Sequence, residues 1–178
     1  MTPKGAASMS DLATRTAPVP AEPAEFPGVS ISLSPPLARW SLRARDPAAL
    51  AKAIGHMVPG KIGESAGGML CLGPDEWLLR LPEGATVPMG EGLPLSVVDI
   101  SERAVTLVLE GPRAIEVLSS GCPRDLSKFA VGYGSRTIYE TVEIVLVRKG
   151  EERWSVDVWR SFAPWLWTGL TTAASHLR

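Results

Sequence analysis

Apolar and polar positions alternate along several short segments of the chain, a pattern typical of half-buried strands. In "LARWSLRAR" the apolar residues lie on one face, and Arg39, Ser41 and Arg43 lie on the other. Further strands are predicted in "GMLCLG", "WLLRLP", "LSVVDI", "AVTLVLEG", "RTIYETVEIVLVRKG" and "ERWSVDVW". The segment "AVTLVLEG" is apolar on both faces, which indicates a central strand.

Three segments have the signals of a helix. In "DPAALAKAIGHM" Asp46 suits the N-cap and Pro47 the first helical position, and "GPRAIEVLSSG" opens on a proline in the same way. The last segment, after Ser161 as a plausible N-cap, carries a stripe with helical spacing that includes Phe162 and Trp165. We therefore predict a C-terminal helix with both aromatic side chains on its buried face.

The two halves repeat one order of elements: strand, proline-opened helix, strand, turn, strand. This order predicts an α+β fold of two βαββ-like units with mainly antiparallel sheet. Residues 1–28 are rich in Pro, Ala, Ser and Thr and carry no core pattern. We predict a flexible N-terminal extension over residues 1–28 and one domain over residues 29–178.

Composition narrows the class of protein. The 178 residues carry a net charge of −1, which argues against a general binder of nucleic acid or membrane surfaces. No apolar stretch approaches the ~20 residues of a membrane span, and the N-terminus has no continuous apolar region typical of a secretory signal. Cys71 and Cys122 are far apart and are predicted to be free thiols. We expect a cytoplasmic protein.

Candidate catalytic residues are few. Asp75 and Glu76 in "LGPDEWLLRLP" form either an acid pair beside Trp77 or the turn of a hairpin, and Pro74 with Asp75 favours the turn. His56 and His176 lie near helix ends, without ligands at metal-binding spacing. Cys122 is interpreted as a packing residue, although Arg124 would favour its thiolate.

The glycine-rich stretches do not match a nucleotide-binding motif. "GESAGG" and "GYGS" have neither the strand–GxGxxG–helix arrangement nor a Walker loop. We therefore predict no catalytic, cofactor-binding or metal-binding residue in this chain.

The six tryptophans are numerous for a chain of this size. Four are in phase with apolar neighbours and are predicted to be core: Trp40, Trp77, Trp154 and Trp165. Trp159 shares a strand face with polar residues, and Trp167 lies on the flank of the last helix. Together with Arg160 they form the candidate subunit interface, the alternative being a small core under a loop.

Three motifs in order, "LGPDEWLL", "GCPRDL" and "VWRSFAPWLWTGL", resemble the gamma subunit of bacterial heterotetrameric sarcosine oxidase. The resemblance covers about residues 29–178. That subunit is in turn similar to part of the glycine cleavage T-protein, a tetrahydrofolate-dependent aminomethyltransferase. "LVLEGPRAIEVLSSG" resembles the strand, Gly-Pro and helix of the T-protein.

The sequence departs from the folate-dependent enzymes at two motifs. "VRKGEERWSVDV" replaces an R-x-G-Y-T-G-E-x-G stretch that helps to form the folate site. In a D-x-S-H element of those enzymes, a histidine follows the serine. In this chain Glu102 stands at that position, directly after "VVDIS". The resemblance therefore implies the T-protein fold and not its folate site.

The resemblance implies a non-catalytic assembly subunit. Its expected partners are the alpha, beta and delta subunits, which would hold FAD, FMN, NAD, zinc and tetrahydrofolate. The complex would convert sarcosine, tetrahydrofolate and oxygen to glycine, 5,10-methylenetetrahydrofolate and hydrogen peroxide. One alternative is the equivalent subunit of N-methylglutamate dehydrogenase. A second is a stand-alone folate-fold binding protein, although the K-G-C-Y-x-G-Q-like motif of such proteins is absent.

Overall fold

A computed structural model describes residues 16–177. Strands and helices follow a similar order in the two halves of the chain. The strands are β1 (Ala24–Phe26), β2 (Val29–Leu33), β3 (Leu37–Ala44), β4 (Ser65–Ala66), β5 (Met69–Gly73), β6 (Glu76–Pro82), β7 (Leu95–Asp99), β8 (Ala104–Glu110), β9 (Gly134–Tyr139), β10 (Val142–Arg148) and β11 (Arg153–Trp159). The helices are α1 (Pro47–Ile54), α2 (Ala114–Ser119) and α3 (Ala163–Ser175).

The strands form two sheets in which every neighbouring pair is antiparallel. The strand orders are β1-β2-β8-β11-β10-β9 and β4-β5-β6-β3-β7. The order β9-β10-β11-β8-β2 repeats the order β4-β5-β6-β3-β7, so each half of the chain forms one copy of the same arrangement. The predicted α+β fold with two repeated units is confirmed, and each unit has one strand more than the predicted βαββ.

The repeat includes an exchange of strands between the halves. β2 precedes the first unit in the chain but pairs with β8 of the second. β7 precedes the second unit but pairs with β3 of the first. Each sheet is therefore completed by a strand from the other half.

The first helix forms where the sequence predicts it. The Asp46 side chain accepts a hydrogen bond from the amide of Ala48 at 2.9 Å, and Pro47 opens the helix. Gly55 ends it in the left-handed conformation that glycine adopts without strain. Leu50 and Ile54 are fully buried, and they hold α1 against the smaller sheet.

Each sheet has its own hydrophobic core on one face. The core under α1 includes Trp40, Leu42 and Trp77. The core under α2 and α3 includes Trp154 and Leu166. The opposite faces of the two sheets meet each other, so both helical layers lie on the outside.

The long predicted strand "RTIYETVEIVLVRKG" is two strands. β9 and β10 form a hairpin in which Tyr139 pairs with Val142. Between them Glu140 has a φ of 49°, a left-handed conformation that turns the chain. The segment "YETV" contains neither Gly nor Pro, so the sequence carries no turn signal there.

The predicted boundary at residue 29 is corrected by the structure. β1 pairs with β2, and Val19 is buried in the core that lies under α2 and α3. The folded part therefore starts before residue 29. The first 15 residues of the predicted extension lie outside the described residues.

Candidate functional site

A buried polar cluster joins the two sheets at their centre. Arg39 of β3 and Arg80 of β6 come from the smaller sheet, and Thr106 of β8 and Asp157 of β11 come from the larger one. Strand alternation sets these side chains on the faces opposite the two cores. All four side chains are buried. The second sheet therefore covers Arg39, although Arg39 lies on the polar face of "LARWSLRAR".

Asp157 is the common partner in this cluster. Arg80 donates a hydrogen bond from Nη1 to Asp157 Oδ2 at 2.8 Å. Thr106 Oγ1 donates to Asp157 Oδ1, and Arg39 Nη2 donates to Thr106 Oγ1 at 2.6 Å. Arg39 Nη2 also lies 3.8 Å from Asp157 Oδ1. A single carboxylate thus compensates charge from both arginines, at a depth where an unpaired charge is costly.

The cluster occupies equivalent positions in the two repeats. Arg39 and Arg80 are cross-strand partners in one sheet, and Thr106 and Asp157 are cross-strand partners in the other. Sequence reasoning had assigned Arg39 and Asp157 to polar strand faces and had missed their burial. Alternation distinguishes the two faces of a strand but does not show which face a second sheet covers, so the sequence carries no signal for this burial.

Asp75 and Glu76 differ in role. The chain turns at Pro74 and Asp75 between β5 and β6, so the predicted hairpin turn is confirmed. Asp75 is exposed, but the Glu76 side chain is only 14% exposed and binds Arg136 of β9 at 2.5 Å and Arg43 at 3.1 Å. The hydrogen bond from Arg136 lowers the pKa of Glu76. Glu76 therefore links the two sheets through an ion pair and is not merely an exposed residue next to the turn.

The "DIS" segment that precedes Glu102 forms a structural turn. Asp99 accepts hydrogen bonds from the Ser101 amide at 2.8 Å and from the Ser101 hydroxyl at 2.6 Å. These bonds lower the pKa of Asp99. Ser101 Oγ in turn accepts a bond from the Arg39 amide at 2.9 Å, which fixes the turn on β3. Glu102 itself is exposed.

The cysteines and histidines lie where the sequence predicts. Cys71 and Cys122 are both free and buried, and burial raises the pKa of the Cys71 thiol. His56 follows the C-cap of α1, and His176 is the C-cap of α3. Within residues 16–177 no group of three His, Cys, Asp or Glu side chains is placed to bind a metal ion. In the same range, no helix combines the length and apolar character required to cross a bilayer.

The two glycine-rich stretches contact each other. Ser65 donates a backbone hydrogen bond to Gly132 at 2.9 Å, and Gly134 donates one to Gly63 at 2.7 Å. A side chain at Gly63 would collide with the Tyr133 ring, because a Cβ would lie 2.1 Å from it. These glycines thus allow the edges of the two sheets to approach each other closely. The sequence of the two stretches does not indicate this structural role.

The tryptophans follow the prediction except on the last helix. Trp40, Trp77 and Trp154 are buried in the cores, and Trp159 is 47% exposed. Trp165, predicted to be core, is 40% exposed, whereas Trp167 packs against the core that lies under α2 and α3. The buried stripe of α3 consists of Ala163, Leu166, Leu170 and Ala174. The helix is therefore rotated relative to the predicted phase.

The exposed aromatic side chains form a patch, defined here as Trp159, Phe162 and Trp165. The rings of Trp159 and Phe162 have centroids 6.4 Å apart. Phe162 and Trp165 are three residues apart at the start of α3, a spacing that places side chains on one helix face. The guanidinium of Arg103 lies 5.1 Å from the Trp159 ring centroid. Arg160, beside the patch, donates a hydrogen bond to the Thr16 carbonyl.

The fold of the chain is similar to that of a solved aminomethyltransferase. It matches the aminomethyltransferase T of the glycine cleavage system from Bartonella henselae with a TM-score of 0.60 over 82% of this chain and 46% of that one. The identity is 14%, so this likeness concerns the fold alone.

The chain belongs to the sarcosine oxidase gamma subunit family, whose model matches residues 43–176. It is 39% identical over 122 residues to sarcosine oxidase subunit gamma of an Arthrobacter species, covering 61% of this chain and 60% of that subunit. It is 35% identical over 146 residues to the subunit of Corynebacterium sp. strain P-1, covering 72% and 71%. The match thus spans less than two thirds of the Arthrobacter subunit.

A solved structure agrees with this assignment. A chain of the heterotetrameric sarcosine oxidase from Corynebacterium sp. U-96, in complex with pyrrole 2-carboxylate, superposes with a TM-score of 0.76 at 33% identity. The superposition covers 87% of this chain and 88% of that one. The resemblance inferred from the three motifs is confirmed.

We expect Asp157→Ala to lower the free energy of unfolding by ~3–5 kcal/mol, because it leaves the buried Arg80 without its carboxylate. Urea denaturation measures this. Asp75→Ala is the matched control, since the Asp75 side chain pairs with Arg43 at 3.7 Å in an exposed position. The control should cost less than ~1 kcal/mol. Equal losses in both variants would contradict the central role of Asp157.

We expect Glu76→Gln to cost about 1 kcal/mol of stability at pH 7. The folded-state pKa of Glu76 is lowered, so its contribution is present at neutral pH and is lost as the pH falls through that pKa. The difference between wild type and variant should therefore shrink with acidification. Glu151→Gln is the control, because the Glu151 side chain is 85% exposed. A difference that does not vary with pH would argue against the ion pair.

Proposed function

We propose that the chain is a non-catalytic assembly subunit of a heterotetrameric sarcosine oxidase. Its partners are the alpha, beta and delta subunits, which hold the FAD, FMN, NAD, zinc and tetrahydrofolate sites. The complex oxidises sarcosine and transfers the one-carbon unit to tetrahydrofolate in the cytoplasm. The observation that carries this proposal is the family match together with the likeness to a chain of the Corynebacterium complex.

The aromatic patch supports a role in assembly. Trp159, Phe162 and Trp165 are between 40% and 47% exposed, although each has a large apolar ring. Protein interfaces are enriched in tryptophan, phenylalanine and arginine, and Arg103 lies over one of these rings. We assign the patch, with Arg160 beside it, as the surface that binds a neighbouring subunit. Trp167 contributes by supporting α3 from its buried side.

The use of the acidic residues supports a non-catalytic role. Asp157 and Glu76 bridge the two sheets through arginines, and Asp99 closes the turn before β8. A general acid or base requires a group whose pKa lies near neutral pH. The pKa values of Glu76 and Asp99 are instead lowered by their hydrogen bonds. At neutral pH, Glu76 and Asp99 therefore act as anions that stabilise the fold through these hydrogen bonds.

We expect Trp159→Ala and Trp165→Ala to weaken association with the other three subunits by about 2 kcal/mol each, the range of an interface hot spot. The melting temperature of the free chain should change little, because both side chains are partly in solvent. The measurements are affinity for the co-purified partner subunits and thermal unfolding of the chain alone.

Trp77→Ala is the matched control for these variants. Trp77 is buried, and its indole nitrogen donates to the Pro59 carbonyl at 2.9 Å. Its loss should cost the free chain ~3–5 kcal/mol of stability. If the patch variants unfold as readily as Trp77→Ala while the folded fraction binds normally, the interface assignment is wrong.

We expect the chain expressed alone to show no sarcosine oxidase activity and to carry no flavin, because those sites belong to the partner subunits. The visible spectrum of the purified chain and an oxygen-consumption assay with sarcosine measure this. The assembled complex, prepared in parallel, is the control and should be yellow and active. A stoichiometric flavin band in the isolated chain would overturn the proposal.

A further inference from the structure

A pocket opens between the two sheets beside the buried polar cluster. Its volume is about 410 Å³. Arg80 of β6 and Ser155 of β11 lie on its inner wall, Lys149 follows β10, and Arg153 begins β11. Apolar side chains complete the lining, among them Leu37, Leu81 and Val108. The pocket therefore combines a polar wall with an apolar one.

Three buried polar atoms of the lining residues have no partner within the described residues: Arg80 Nη2, Ser155 Oγ and Trp154 Nε1. Trp154 belongs to the core under α2 and α3. Arg80 and Ser155 are each only 6% exposed, and buried polar groups are usually hydrogen-bonded. The guanidinium of Arg80 is held in place by Asp157, which binds its other terminal nitrogen at 2.8 Å. The unmatched nitrogen is thus a fixed donor rather than a mobile one.

The charges around the pocket are positive. Arg80, Lys149 and Arg153 line it, and none of the described lining residues carries a carboxylate. Arg153 is paired with Glu110 at 3.4 Å in an exposed position. Burial and the neighbouring Arg80 lower the pKa of Lys149, and Asp157 only partly offsets them. An anion in the pocket would relieve this excess of positive charge.

We propose that this pocket binds a small molecule through its carboxylate, with Arg80 Nη2 and Ser155 Oγ as hydrogen-bond donors and the Lys149 ammonium as the counter-charge. Leu37, Leu81 and Val108 contact the apolar body of the ligand. The lining comes from strands and connecting segments, and no helix begins there. The pocket thus lacks the helix N-terminus on which many phosphate sites depend, which favours a carboxylate. This inference goes beyond the proposed function and does not require the partner subunits.

The test uses the full chain labelled with ¹⁵N and titrated with benzoate, a ring-bearing carboxylate. Benzamide is the matched probe, with the same ring and no charge. We expect saturable amide shifts with benzoate at Arg80, Lys149 and Ser155, and none with benzamide. The proposal is overturned if benzoate gives no saturable shift at these residues, or if benzamide binds as tightly.

Two variants identify the groups that bind. Lys149→Gln should weaken benzoate binding about tenfold, as the loss of a charge-assisted contact does, and Ser155→Ala about fivefold. Arg80 is left intact, because its replacement would also unpair Asp157. Lys128→Gln is the control, since the Lys128 side chain is 81% exposed and remote from the pocket lining. Unchanged affinity in Lys149→Gln would refute the proposal, and the amide spectrum of each variant shows whether it is folded.

Discussion

The contact between Asp157 and the two buried arginines is the interaction on which the rest of this structure depends. Arg39 and Arg80 are directly opposed on neighbouring strands of one sheet. Like charges in that position repel each other, so the smaller sheet alone would be disfavoured at its centre. The larger sheet supplies the carboxylate and the Thr106 hydroxyl that satisfy them. Each sheet therefore needs the other at one specific register, since a shift of one residue would move these groups to the core faces.

The exchange of strands reinforces the same dependence. β2 and β7 each pair with the sheet of the other half, so neither half has a complete sheet without its partner. The two repeats are therefore structurally interdependent. The Glu76–Arg136 ion pair and the contact between the glycine-rich stretches add further links at the sheet edges. Together these features link the two sheets, each of which has its own hydrophobic core.

The sequence predicts those parts of the fold that follow from local patterns. Alternation predicts β3 and β6, and a segment that is apolar on both faces predicts β8. Asp46, Pro47 and Gly55 define α1. The turn at Glu140 could not be predicted, because a non-glycine residue adopts the left-handed conformation there. The burial of Arg39 could not be predicted either, because alternation distinguishes the two faces of a strand but does not show what covers each face. That information resides in the packing of sheet on sheet, which is non-local.

The rotation of α3 has a physical reason that also explains the aromatic patch. Large aromatic side chains at helical spacing suggest a core face, but close packing of a helix on a sheet also requires small residues. Ala163 and Ala174 occupy the buried stripe with two leucines, and a Cβ at Gly169 would lie 3.2 Å from the Tyr139 ring. There is no room on that side for the Trp165 indole, which instead contacts Tyr139 edge-on with centroids 6.5 Å apart. The same small residues that bring α3 close to the sheet thus place Phe162 and Trp165 outside the core. The packing of the helix thus determines where Phe162 and Trp165 lie, beside Trp159 at the end of β11.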